Sequence, residues 1–316
     1  MKKSFTLIEA ILVIVILSFI LIGGFQLIQK LYVRNYIAKQ TGEFEFVSQQ
    51  VLDQLSSVLY YRIPLSVIGY NQQSGEFKYI GYITSAENYP VLEWIGYLND
   101  AMKESNLSGF ADLYASKKPV LKAVDFNSDY INEILHNKYL TAQNLNDLTA
   151  VIFAGSFDRG SEGVLNDYNN SFGWHGNRAD FVYRIKSYNQ TGNNCELNLT
   201  NYDGSAIDNA VIYEKFYLAD SAYAVALKKD LDPAKWNCNV SLDEFKDDDL
   251  LFFYNYRPWL GETFCADGGE GNVSLLSGNV SSFRVKKVNN HLELKIRMQK
   301  SKADINISVS KQKVAF

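Results

Sequence analysis

The sequence is poor in the residues that most often carry catalysis or bind metals. Among its 316 residues there are three histidines and three cysteines. His136, His175 and His291 stand far apart, no motif links them to a serine or cysteine nucleophile, and no phosphate-binding glycine-rich loop follows a strand. No pair has the close spacing of zinc ligands. The sequence therefore predicts a protein without catalysis and without a cofactor.

Charge is also scarce. Charged residues make up 21% of the chain and the formal net charge is -4, which gives no direct indication of a nucleic-acid or polyanion surface. Aromatic residues are abundant instead, with 21 tyrosines and 19 phenylalanines. This composition is typical of a strand-rich globular domain with aromatic cross-strand pairs.

A long apolar run opens the chain. Between positions 5 and 25 the polar side chains are Thr6, Glu9 and Ser18. A helix of this length rises about 30 Å, which matches the hydrocarbon core of a bilayer. The run is longer than the apolar region of about 7–15 residues in a cleaved signal peptide, and no small-residue cleavage site follows it. Residues 5–25 are therefore predicted to form a transmembrane helix that stays in the membrane.

Glu9 is the unexpected residue in this run. A carboxylate in the apolar part of a spanning helix costs about 2.5–3.5 kcal/mol, so it should have a partner. If the chain were cut between Ser4 and Phe5, the new amino terminus would be a cation one helical turn from Glu9. The carboxylate could then neutralise that amine, on its own helix or on a neighbouring one.

The stretch KKSFTLIE at positions 2–9 resembles the leader and mature start of type IV pilins and type II secretion pseudopilins. The resemblance implies that residues 1–4 are a prepilin leader, cut by prepilin peptidase between Ser4 and Phe5. It also implies N-methylation of Phe5 and a subunit-docking role for Glu9 and Phe5. The family usually has glycine before the cut, but Ser4 is also small, so we expect processing to occur.

The helical pattern continues beyond the span. Apolar residues recur at helical spacing, with polar residues between them, and Pro64 ends the pattern. Residues 26–62 are therefore predicted to be an amphipathic continuation of the same helix. The Gly23-Gly24 pair is either a weak point in that helix or a site of close helix–helix packing. The apolar positions are Phe44, Val47, Val51, Leu55 and Val58.

Residues 63–316, the head, carry mostly strand signals. Residues 273–316 alternate as a β-meander, with Asn289-Asn290 as a hairpin turn, and residues 275–299 loosely resemble the end of the larger minor pilins and J-type pseudopilins. Residues 90–148 differ, with helical candidates at 92–103, 130–135 and 141–148. The predicted fold is α+β and pilin-like: a long N-terminal helix packed on an antiparallel sheet, with a helical insertion.

The three cysteines, Cys195, Cys238 and Cys265, lie in the part expected to face an oxidising compartment, where disulfides persist. An odd number leaves one cysteine unpaired, and three pairings are possible. Cys238–Cys265 closes the shortest loop and is the favoured pair.

Two weaker patterns remain. Asp267, Glu270 and Asn272 could supply oxygen ligands to calcium, but they lack the spacing of an EF-hand, so a solvated turn is the favoured interpretation. Eight Asn-x-Ser/Thr triplets occur, and five have an acidic residue two positions before the asparagine, as certain bacterial N-glycosylation systems require. Those five possible glycosylation sites are Asn106, Asn169, Asn198, Asn272 and Asn306.

The resemblance implies a structural subunit, a minor pilin or pseudopilin, of a type IV pilus or a type II secretion filament. Such a subunit is a single-pass protein of the bacterial inner membrane with its head in the periplasm or outside the cell. Its partners would be prepilin peptidase and other pilin subunits, contacted through the N-terminal helix. The large head suits a position at or near the filament tip. The alternative is a pilin-anchored binding module, a tip adhesin or uptake receptor, with the helical insertion as its ligand surface.

Overall fold

The computed structural model describes residues 7–84, 86–158, 168–207, 211–238, 240–265, 271–289, 291–302 and 305–315. Within these ranges a long N-terminal helix precedes an eleven-stranded sheet and a three-stranded sheet. All strand pairs are antiparallel. The predicted α+β class, with a long apolar helix ahead of an antiparallel sheet domain, is confirmed.

Helix α1 runs without interruption from Leu7 to Tyr60, across Gly23 and Gly24. At about 1.5 Å per residue it is about 80 Å long. Its first half is exposed, and its second half buries a stripe at helical spacing against the head. The buried residues are Gln40, Phe44, Ser48, Val51, Leu52, Leu55 and Leu59. The predicted stripe positions Val47 and Val58 are half-buried at its margins.

The large sheet is organised around its longest strand, β9, which pairs with β3, β6 and β10. The order is β2-β1-β3-β9-β6-β7-β8-β5-β4, with β10 and β11 attached beside β9. Strand β4 curls back toward β9, since the Ala111 amide donates to the Glu214 carbonyl over 2.7 Å. The strands are β1 Ile68–Asn71, β2 Glu76–Tyr79, β3 Val91–Tyr97, β4 Leu107–Ala111, β5 Val120–Phe126, β6 Ala150–Phe153, β7 Tyr183–Thr191, β8 Asn194–Thr200, β9 Phe216–Leu227, β10 Leu250–Tyr256 and β11 Asn272–Ser277.

The helical insertion expected over residues 90–148 is a mixed segment and not a helical one. The helices predicted at 130–135 and 141–148 are confirmed in type, although the second is shorter than expected. The first predicted helix, 92–103, is helical only in its second half. Its first half is strand β3, which is buried on both faces between β1 and β9. A short, fully buried strand has a continuous apolar sequence, and periodicity alone does not separate it from a buried helix. Strands β4 and β5 follow. The helices of this segment are α2 Asn99–Lys103, α3 Ser128–Tyr139 and α4 Leu145–Leu148.

The C-terminal sheet consists of β12 Val280–Val288, β13 His291–Lys302 and β14 Ile305–Ala315. Val288 pairs with His291, which confirms the predicted hairpin. The meander begins later than the expected residue 273, because β11 pairs with β10 in the large sheet.

The C-terminal sheet packs on the second half of α1. Phe44 of the helix shares a small apolar core with Met298 and Ile307. Nearby, the Lys313 ammonium lies 2.6 Å from the Asp53 carboxylate.

Two apolar cores lie in the head. One joins α1 to β1, β3, β9 and β10, and the other lies among β4 to β8 and helices α3 and α4. Strand β9 belongs to both, with Ala224 and Val225 in the first core and Phe216 and Leu218 in the second. Its central position in the sheet therefore connects the two halves of the head.

Candidate functional site

The exposed first half of α1 is the most distinctive surface of the described chain. Its large apolar side chains between Leu7 and Leu31 are 45% to 79% exposed. An 18-residue window has a mean hydropathy of 2.8, and none of it is buried within the molecule, so α1 is a candidate membrane span by length and composition. An apolar surface of this size requires lipid or protein to cover it.

Glu9 lies exposed near the start of this surface. It is the only ionisable residue between positions 7 and 29. Ser18 is the other polar residue in this part of the helix. Its hydroxyl donates to the Ile14 carbonyl over 2.7 Å, so its hydrogen bond is made within the helix. Residues 1–6 are outside the described ranges, so the cleavage and methylation expected at Ser4 and Phe5 stay predictions.

The favoured cysteine pairing is confirmed. Cys238 and Cys265 form a disulfide across 27 residues of sequence, and the Asn237 amide donates to the Cys265 carbonyl over 2.7 Å. Cys195 lies buried in strand β8 as a free thiol. Burial raises the pKa of this thiol to about 11, so the group stays protonated and unreactive at neutral pH.

The proposed calcium ligands are not brought together in the described residues. Asp267 and Glu270 are outside the described ranges, and Asn272 is exposed at the start of β11. Within the described residues, no group of three or more His, Cys, Asp or Glu side chains could hold a metal ion.

The five possible glycosylation sites are scattered over the head. Asn169, Asn272 and Asn306 are exposed, and Asn106 is half-buried. Asn198 is half-buried inside β8, which is paired on both sides with β5 and β7. The five therefore do not form one site, and their modification stays a prediction.

A buried polar cluster was missed by the sequence reasoning, which treated His175 as an isolated residue. Glu93 in β3 is fully buried and uses both carboxylate oxygens: Oε1 lies 2.8 Å from His175 Nε2, and Tyr256 donates to Oε2 over 2.8 Å. The Tyr70 ring stacks on the imidazole, with ring centroids 3.7 Å apart. Burial and the adjacent Glu93 raise the pKa of Tyr256 well above its usual value. This enclosed network links the loop that carries His175 to strands β1, β3 and β10.

A second buried cluster joins α3 to β9. Asp220 is fully buried, and its Oδ2 lies 2.5 Å from Lys138 Nζ and 2.7 Å from the Tyr139 hydroxyl. Burial opposes the positive charge of Lys138, but the Asp220 carboxylate outweighs that effect and raises the pKa of the lysine. Burial, reinforced by the same carboxylate, also raises the pKa of Tyr139. In the sequence, each of these two clusters is indicated only by an acidic residue within an apolar strand, Glu93 in β3 and Asp220 in β9.

The candidate functional surface is thus the exposed apolar half of α1 with Glu9, while the two polar clusters are enclosed in the head. Comparison with known proteins adds no family to this description: no family model matches the chain, and no curated protein or solved structure is significantly similar to it.

Proposed function

We propose that the chain is a structural filament subunit, a minor pilin or pseudopilin of a type IV pilus or a type II secretion system. The observation that carries this proposal is one uninterrupted helix whose first half exposes apolar side chains and whose second half packs in the head. The sequence KKSFTLIE stands directly before and at the start of that helix. A helix of this kind suits storage in a membrane and later packing against identical or similar helices.

The role proposed for Glu9 rests on its position in the sequence, five residues after the expected cut. Prepilin peptidase cuts between Ser4 and Phe5, and the methylated amine of Phe5 is the cation that Glu9 neutralises. Within an apolar bundle an unpaired charge is costly, so pairing across two subunits favours entry in one register. The subunit waits in the bacterial inner membrane with its head in the periplasm and enters the filament from there.

The amino terminus of the mature protein tests this proposal. In material purified from its native host, N-terminal sequencing and intact mass are expected to show N-methylated phenylalanine at position 5. A mature protein that still begins with Met1 would contradict the proposal, because the amine next to Glu9 would then be absent.

A Glu9→Val variant tests the docking role. Without the carboxylate the amine of Phe5 lacks its partner, so we expect at least about tenfold less of the protein in sheared filaments, with normal amounts in the inner membrane. A cost of about 1.4 kcal/mol is enough for a tenfold change. The matched control is Ser18→Ala, since Ser18 bonds within its own helix. Normal incorporation of the Glu9→Val variant into filaments would contradict the docking role.

A second candidate function is a pilin-anchored binding module, such as a tip adhesin or uptake receptor. It is favoured by three apolar side chains exposed close together in sequence: Phe110, Leu113 and Tyr114 are 45%, 47% and 101% exposed. Replacing all three by serine separates the two functions, because a binding module would lose attachment or uptake while filament assembly continued.

A further inference from the structure

A surface groove, here called the distal groove, lies at the end of α1 farthest from the apolar half. Its volume is about 520 Å³. Four separate parts of the head line it: the end of α1 at Tyr60, strand β4 at Phe110, the start of β9 at Phe216, and the β12–β13 hairpin at Leu292. In the filament subunit proposed above, this groove faces away from the membrane-inserted helices.

The charged residues described in the lining of the groove are all cations: Arg62, Lys215 and Lys287. Lys287 donates to the Tyr79 hydroxyl over 2.6 Å and lies 5.0 Å from the centre of the Tyr79 ring. Lys215 lies 5.8 Å from the centre of the Tyr217 ring. Among the described residues these two ammonium groups are thus placed against aromatic rings and not against carboxylates. A cleft with charge of one sign attracts a ligand of the opposite sign.

The remaining walls are largely apolar and include Leu65, Ile80 and Phe216. The Ser108 hydroxyl, one of the polar groups in the lining, donates to the Val124 carbonyl. Four tyrosines also line the groove, and the Tyr79 hydroxyl already accepts from Lys287. The groove therefore suits a ligand that has both an acidic group and an apolar group. Its volume is that of a typical ligand pocket.

The rim of the groove is open, because Tyr60 and Phe110 are 61% and 45% exposed. A polypeptide can enter and leave such a groove, whereas an acyl chain is best held in a closed tunnel.

We propose that the distal groove binds an acidic peptide segment of a partner protein, with carboxylates paired to Lys215 and Lys287 and an apolar side chain against the walls. This inference goes beyond filament assembly and does not depend on the processing of the amino terminus.

The test uses the full chain in lipid nanodiscs and two synthetic peptides of equal size, acetyl-Asp-Phe-Asp-amide and acetyl-Asn-Phe-Asn-amide. By calorimetry or NMR titration we expect the acidic peptide to bind at least about tenfold more tightly, with the difference shrinking at high salt because ion pairs are screened. Equal affinity of the two peptides, or no binding of either, would overturn the proposal.

Variants locate the binding. Combining Lys215→Gln with Lys287→Gln is expected to lower the affinity for the acidic peptide at least tenfold. Lys215→Gln alone, at an exposed position, is expected to lower that affinity measurably. The control pair is Lys186→Gln with Lys295→Gln, since both lysines are exposed and neither lines the groove. Thermal unfolding checks that the variants are folded. Unchanged binding by the double variant, or tighter binding of octanoate than of the acidic peptide, would also overturn the proposal.

Discussion

At the scale of single residues, Asp220 shows how the head tolerates charge in its interior. Its carboxylate is fully buried in β9, where an unpaired charge would be costly, and it is held by Lys138 and Tyr139 of α3. The contact fastens a helix to the central strand of the large sheet. Its value therefore depends on both partners being present.

Removing this carboxylate should destabilise the head strongly. Asp220→Ala leaves the Lys138 charge without its partner, and breaking a buried pair costs about 3–5 kcal/mol. The free energy of unfolding, measured in urea, is expected to fall by about that amount. Asp53→Ala is the matched control, because Asp53 pairs with Lys313 at a half-exposed surface and such surface pairs contribute little to stability. A similar small loss for both variants would refute the buried role of Asp220.

The sequence predicted some residues of this kind and not others, for a physical reason. Glu9 is conspicuous because it interrupts a long apolar run of the sequence, and its partner stays a prediction. Glu93 also sits in an apolar run, but its partners His175 and Tyr256 are brought to it by strand pairing and a distant loop. The disulfide partners Cys238 and Cys265 were predictable because the loop between them is short.

At the scale of elements, α1 combines two surfaces with opposite requirements. Leu52 and Leu55, in its second half, are 0% and 1% exposed against the sheet. Leu27, in the first half, is 60% exposed. Leucines on the same helix therefore stabilise the fold in its second half and lie exposed on its surface in the first half.

Truncating leucines at these positions separates the two surfaces. Leu52→Ala is expected to lower the free energy of unfolding of the head by about 2–5 kcal/mol, because it leaves a cavity in the core. Leu27→Ala should leave the unfolding of the head unchanged. Denaturant titration in nanodiscs, followed by tryptophan fluorescence, measures both. Equal effects of the two substitutions would contradict the division of the helix.

Secondary structure was predictable where a pattern was long and periodic. The stripe of α1 and the alternation of the C-terminal meander are of this kind. Strand β3 was misinterpreted as a helix because both of its faces are covered, which removes the alternation that marks a strand. Strand β11 was assigned to the meander because nothing in its own residues indicates that β10 is its partner.

At the scale of the whole molecule, the disulfide contributes to the stability of the head from the margin of the first core, where Cys265 is buried. It closes a loop of 27 residues, for which chain entropy gives about 3–4 kcal/mol. Replacing Cys238 and Cys265 together by serine should lower the unfolding free energy by about that amount. A matched Cys195→Ser variant tests the third cysteine, whose thiol should also resist labelling at pH 8 until the protein unfolds. An unchanged unfolding free energy in the Cys238/Cys265 double variant would contradict the stabilising role of the disulfide.

The distal groove could not be predicted from the sequence. Its cations Arg62, Lys215 and Lys287 are far apart along the chain and stand in unremarkable local surroundings. They converge because the end of α1, the start of β9 and the β12–β13 hairpin meet at one pole of the head. Such a site is a property of topology and not of any local pattern.

The uninterrupted course of α1 has a mechanical consequence. Strand β14 runs alongside the second half of the helix, with contacts from Phe44 and Ile307 to Asp53 and Lys313. Tension applied at the amino end therefore travels down a single rod and loads these contacts in shear, all at once. Contacts strained together in this way yield at much higher force than contacts peeled apart in succession, so α1 is expected to stay packed on the C-terminal sheet when the amino end is pulled.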